Sequence, residues 1–176
     1  MTPERYYASL DFHAYVDTAQ KNVEFWRAVF RTAVMPIDLL HRASRLKTRW
    51  HLLVLSEDWC GDAVNTVPVV ARFVEAVPGL DARVLSRDKN PDLMTHHLTS
   101  RTRSIPVIVA LDDEFVARGW WGPRPSKLQR WVRSEGLLLP KDERYQRTRA
   151  WYARDRGRTT IEEVVEMLER GARAMG

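Results

Sequence analysis

The sequence predicts an α/β fold in which a central mixed β-sheet is flanked by helices. Three observations carry this. A compact apolar run, HLLVLS over 51–56, leads into a helical pattern over 60–77 and then into a second apolar run, ARVLS over 82–86. That strand, helix, strand order is the one that pairs strands in parallel. A third run, VIVAL over 107–111, is joined through Asp112-Asp113 to EFVARGWW over 114–121, which reads as an antiparallel hairpin.

Over residues 17–33, Val23, Trp26, Val29, Phe30 and Ala33 recur at helical spacing and predict one amphipathic helix. Pro36 ends it or opens the next, in which Leu39, Leu40, Ala43 and Leu46 keep the period. The run after Trp50 is too short for a core-facing helix and reads as a buried strand. The helix from Cys60 to Val77 sends Val64, Val67, Val70, Ala71 and Val74 inward and stops at Pro78-Gly79. After the second strand and the turn Asp88-Lys89-Asn90-Pro91, a short helix runs through Leu93, Met94 and His97.

Gly122-Pro123-Arg124-Pro125 breaks the chain after the hairpin, and a helix with Leu128, Trp131 and Val132 inward is expected to cover the sheet. The stretch 141–156 is strongly charged, with Tyr145, Trp151 and Tyr152 interleaved. In the last helix Thr159 and Thr160 each stand three residues before a glutamate, Glu162 and Glu163, giving two possible capping boxes. Ile161, Val164, Val165 and Leu168 form its apolar stripe, and Gly171 supplies a C-terminal stop. The organisation expected is an N-terminal helical extension over 1–34, an α/β domain over 35–136, and a C-terminal helical extension over 137–176 packed on that domain.

At 176 residues with 44% hydrophobic side chains, the chain can bury a core without staples, which excludes disordered, collagenous and disulfide-scaffold classes. Its single cysteine, Cys60, has no partner for an internal disulfide. No apolar run is long enough to span a bilayer, and the N-terminus lacks the basic and apolar regions of a signal peptide, so a cytoplasmic protein without membrane contact is expected. The formal net charge of +5 is unevenly placed: residues 118–158 hold 12 Lys+Arg against 4 Asp+Glu, a net of +8, and the remainder is slightly acidic. Basic residues interleaved with aromatics occur in nucleic-acid binders. No nucleic-acid motif accompanies them here, and a solvated helical face with Arg stems over aromatic rings is the preferred reading. His96 and His97 are helix neighbours that diverge, with no cysteine or carboxylate cluster at ligand spacing, so no metal site is expected.

The segment that carries chemistry is LVLSEDWCGDAVNTVP, from Leu53 to Pro68, where a buried strand turns into a helix and Cys60 lands at the helix N-terminus. The unpaired N–H groups and dipole of a helix start favour a thiolate. Opposing them, Glu57, Asp58 and Asp62 lie within a few residues, and no Lys or Arg occurs between His51 and Ala71. Arg101 and Arg103, just before Pro106, are candidates to offset this charge. Asp62 reads first as a first-turn residue favoured by the dipole, with modulation of the thiol as the functional alternative.

In these residues the sequence resembles the thioredoxin superfamily. The resemblance rests on Trp59-Cys60-Gly61 after the first core strand, Pro68 eight residues past the cysteine, Asp88-Lys89-Asn90-Pro91 after the next strand, and Ile105-Pro106 opening the third. It covers residues 35–136 and implies a thioredoxin-like fold with a cis Ile105-Pro106 bond facing Cys60. It further implies an active-site surface of Trp59, Gly61, Asp62 and Ala63, with Ile105 and Pro106 presenting backbone groups to an extended substrate. Trp59 reads equally as a core-packing residue, and Trp120 and Trp121 read first as core, with a peptide-binding role as the alternative.

Two departures bear on activity. Ala63 stands where the family has its second cysteine, and Val54 stands where it has a buried aspartate. Both losses fall on the half of the reaction that resolves a mixed disulfide. The expected activity is monothiol thiol–disulfide exchange, with Cys60 as sole nucleophile and, in place of a bound cofactor, a low-molecular-weight thiol or a protein disulfide as partner. The alternative is a redox-inactive thioredoxin-fold module that binds a protein in the same groove.

Overall fold

In the computed structural model, which describes residues 1–176, the apolar run after Arg49 forms β1 (Trp50–Ser56), buried along its whole length. A strand with no exposed side chain needs cover on both faces, which places it inside the sheet. β2 (Leu80–Ser86) pairs with it in parallel, from Trp50↔Leu80 to Ser56↔Ser86. β3 (Val107–Leu111) pairs on the other side in antiparallel, from His51↔Leu111 to Leu55↔Val107. β4 (Ala117–Trp121) closes the hairpin, with an irregular step at Ala110/Leu111, and the order is β2-β1-β3-β4. The sheet is mixed, as the sequence predicts.

α5 (Gly61–Ala76) follows β1 and contributes to both cores. Its Val64, Val67, Val70 and Val74 enter the main core on the sheet, whereas Val69 and Phe73 meet Leu39 and Ala43 of α4 (Ile37–Ala43) in a second cluster. Pro68 lies inside α5 and removes the N–H that would bond back to Val64. α6 (Pro91–Met94) is a single turn that seats Met94 in the main core. No helix is long and apolar enough to cross a membrane.

The N-terminal residues differ from the single helix expected over 17–33. They form α1 (Pro3–Tyr7), α2 (Phe12–Thr18) and α3 (Val23–Thr32). The break has a tertiary cause. Gln20 and Lys21 donate backbone N–H groups to the Asp58 carboxylate at 2.7 and 3.0 Å, and Asn22, in left-handed backbone at φ 57°, donates its side-chain amide to the Asp58 carbonyl at 2.9 Å. The loop before Cys60 thus holds the turn open against a helical period that runs through it.

The C-terminal elements also exchange roles. α7 (Ser126–Ser134) buries only Leu128 and Val132, and these pack against Tyr152 of α8 (Lys141–Asp155) in a small separate cluster. The sheet is covered instead by α9 (Arg158–Arg173), whose Val164, Met167 and Leu168 complete the main core while Ile161 and Val165 complete the second. α9 continues past Gly171, where a Cβ would stand 2.7 Å from the Trp50 ring, so this glycine admits Trp50 and does not stop the helix. Neither capping box forms. The Thr159 N–H and hydroxyl donate to Asp155, and Glu163 accepts from Trp121 Nε1 at 2.7 Å and Ser126 N at 2.8 Å, tying β4 to the start of α7.

Candidate functional site

β1 delivers the chain to a loop whose acidic residues are all engaged. Glu57 accepts from Ser86 Oγ at 2.8 Å and from Asp88 N at 2.9 Å, while Asp58 holds the turn between α2 and α3. Trp26 of α3, fully buried, donates Nε1 to the Asp58 carbonyl at 3.2 Å. The N-terminal helices therefore fix the approach to Cys60.

Cys60 is the N-cap of α5. Its Sγ accepts the Ala63 N–H at 3.5 Å and faces the Ile105 carbonyl oxygen at 3.4 Å across the loop before β3. The Ile105-Pro106 bond is cis. The backbone beyond it is crowded: a Cβ on Gly122, at φ +135°, would stand 2.1 Å from the Pro106 oxygen. Gly122 is thus required by the close approach of the β4 end to Pro106. Trp121 is buried with its N–H on Glu163, whereas Trp120 is exposed and meets the His97 ring edge-on at 5.8 Å.

Beside the thiol lies a half-buried polar triad that spans the chain. Asp62, in the first turn of α5, pairs with Arg124 Nη2 at 2.6 Å and accepts the Tyr152 hydroxyl at 3.0 Å. Burial pushes the Asp62 carboxyl above the usual carboxylate range, although Arg124 and Tyr152 pull it back. Burial and the neighbouring carboxylate hold the Tyr152 phenol well above its ordinary value, so it remains a donor. Burial also pushes the Cys60 thiol up, and Asp62 adds to this; the Ala63 and Asp62 N–H groups and Arg124 oppose them without prevailing. Val54, where the family has a buried aspartate, is itself buried and supplies no proton acceptor.

Above the thiol opens a cleft of about 690 Å³. Trp59, Cys60, Gly61, Asp62 and Ile105 line it, while Ala63 and Pro106 lie buried behind them. Trp59 is 45% exposed, under the Arg87 guanidinium at 5.1 Å, and belongs to the cleft wall. Of the two arginines expected to approach Cys60, Arg103 lines the cleft and Arg101 does not. The cation paired with Asp62 beside the thiol is Arg124, which follows the Gly122-Pro123 turn; its proximity to Asp62 has no local sequence signal. Tyr152, Arg144 and Arg149 of α8 were likewise unmarked beyond the charged, aromatic composition of their stretch. No three His, Cys, Asp or Glu side chains group as metal ligands, and His97 Nδ1 lies 2.9 Å from the Leu93 carbonyl.

Comparison with known proteins agrees with this fold. A family model described as thioredoxin matches residues 9–151. The fold is similar to the crystal structure of a protein of unknown function from Pseudomonas aeruginosa, at 21% identity and a TM-score of 0.76, covering 96% of this chain and 98% of that one. It is also similar to the crystal structure of an HIV epitope scaffold, at 20% identity and a TM-score of 0.71, with the same coverage of 96% and 98%. No curated protein matches the sequence. With the family model spanning most of the chain, and a strand-to-helix cysteine facing a cis-proline loop, the chain belongs to the thioredoxin family.

Proposed function

We propose that the protein carries out thiol–disulfide exchange with Cys60 as sole nucleophile and an external thiol as resolver. The observation that carries this reading is the position of the Cys60 sulfur: at the start of α5, opposite the Ile105 carbonyl, on the wall of an open cleft. In the first step the Cys60 thiolate attacks one sulfur of a disulfide. The S–S bond of the substrate breaks, a Cys60 mixed disulfide forms, and the leaving thiolate takes up the proton that Cys60 lost. Ala63 cannot attack that adduct. A second thiol, from solution, attacks the substrate-derived sulfur, releases a new disulfide and returns Cys60 as thiol.

Because burial raises the thiol's pKa, the reactive thiolate is a minor species at neutral pH, and the rate rises with pH through the ordinary cysteine range and beyond. The test is mass detection of a Cys60 adduct with a small disulfide at about pH 9, followed by its release with added thiol. Adduct formation that is lost in Cys60→Ser supports the reading; no adduct at that pH ends it. One observation favours a second reading. A thiol held protonated by burial suits a module that binds a partner in the cleft without turnover, and such a module would keep its partner when Cys60 is serine.

A further inference from the structure

We propose that the cleft over Cys60 selects small disulfides and thiols that carry negative charge, carboxylates in particular; this rests on the exchange reading and names its substrate class. Five guanidinium groups line the cleft, from Arg87, Arg103, Arg124, Arg144 and Arg149. Against them stand Asp62 within it and Asp88 beside it, so the cleft carries a formal excess of three positive charges. The pairs are uneven. Arg87 lies 2.9 Å and Arg103 3.9 Å from the same Asp88 oxygen, and Arg124 is matched by Asp62. Arg144 and Arg149 have no carboxylate partner.

Those two arginines come from one face of α8. Residues 144, 145, 148 and 149 line the cleft together, the spacing of a single helical face, and the Arg144 guanidinium lies 5.6 Å from the Tyr145 ring centre. The basic stretch that stands out in the sequence therefore turns part of its charge toward the thiol. The two planar forks are free to take a carboxylate in paired hydrogen bonds. Arg124 adds a buried Nε with no hydrogen-bond partner. A volume of about 690 Å³ falls within the range of small-molecule sites, roughly 300–1,000 Å³. Hydroxyls of Thr102, Ser104 and Thr148 supply neutral polar contacts around the charged ones.

The test compares three aliphatic disulfides that differ in charge: dithiodipropionate, a dianion; hydroxyethyl disulfide, neutral; and cystamine, a dication. Adduct formation at Cys60 is timed for each at low ionic strength and divided by the rate of the urea-unfolded chain, which cancels intrinsic reactivity. The dianion is expected to exceed the dication by about tenfold or more. In about 1 M salt, where the Debye length is about 3 Å, the ratio is expected to fall below about threefold. The double variant Arg144→Gln, Arg149→Gln should slow the dianion at least about threefold and speed cystamine, as removal of two unpaired charges requires. Equal corrected rates across the three, or a charge preference untouched by the double variant, would overturn the proposal while leaving exchange at Cys60 standing. If none of the three reacts, exchange fails. Charge selection is then decided by NMR titration of Cys60→Ser: cleft resonances that shift with dithiodipropionate and not with cystamine sustain it, and equal or absent shifts refute it.

Discussion

Replacing Tyr152 by Phe removes one hydroxyl from a side chain that is 5% exposed, leaving the ring, its packing on Leu128 and Val132, and the helix unchanged. What is lost is the donor to Asp62, at 3.0 Å. Hydrogen bonds to a charged group contribute about 1.5–3 kcal/mol. This one is longer than the roughly 2.5–2.7 Å typical of a hydroxyl on a carboxylate, and Arg124 at 2.6 Å remains as a second partner, so the lower end applies. The expected cost is about 1.5 kcal/mol. Spread over 176 residues at about 2.1 cal/mol/K per residue, that lowers the melting temperature by about 4 °C. Urea unfolding of the wild type, Tyr152→Phe, Asp62→Ala and the double variant closes a cycle in which the coupling should be about 1–2 kcal/mol. A coupling below about 0.5 kcal/mol would show that the hydroxyl and the carboxylate do not support one another and that α8 is held over the cleft by other contacts.

Three further outcomes follow from the same geometry. Asp62→Asn removes the charge that opposes ionisation of Cys60 and frees Arg124 to favour it, so the pH midpoint of Cys60 alkylation should fall; a midpoint that stays or rises would contradict the electrostatics described. Gly122→Ala forces a methyl to within 2.1 Å of the Pro106 oxygen at a φ of +135°, which should cost about 3 kcal/mol or more in urea unfolding, and a loss under about 1 kcal/mol would mean the β4 end can move away. The Arg5 guanidinium holds the Asp92 carboxyl down at about 2. A depressed carboxyl contributes stability that is present above its unfolded value and lost as pH falls through its folded value, here between about 4 and about 2. Arg5→Ala should return the Asp92 titration, followed by NMR, toward about 3.9, and an unmoved titration would refute the pairing.

What could be read from the sequence is what local pattern decides. The unbroken apolar run of β1, the amphipathic period of α5, the hairpin and Ile105-Pro106 each state their conformation within a few residues, and together they place Cys60 at a strand-to-helix turn. The misread elements depend on partners far along the chain. The helical period of 17–33 continues through Asn22, and only the Asp58 loop, more than thirty residues on, breaks it. Glu163 has the spacing of a cap, but the Trp121 indole and the Ser126 amide engage it instead. α7 and α9 both carry an apolar stripe; the deeper stripe of α9 reaches the sheet. The site divides along the same line. Cys60, Trp59 and Asp62 are consecutive enough to be seen as a motif, whereas Arg124 and Tyr152 converge on Asp62 through tertiary structure alone.

The Asp62–Tyr152 bond joins residues 90 positions apart, so it forms only late in synthesis. At roughly 5–20 residues per second, the wall of the cleft that α8 provides leaves the ribosome about 5–20 s after Cys60. Through that interval α5 lacks both α8 and the α9 side chains that complete the two cores, and Cys60 is open to whatever thiol chemistry surrounds the nascent chain. The cleft wall over Cys60 is thus completed by C-terminal elements, after the strands and α5 have been made.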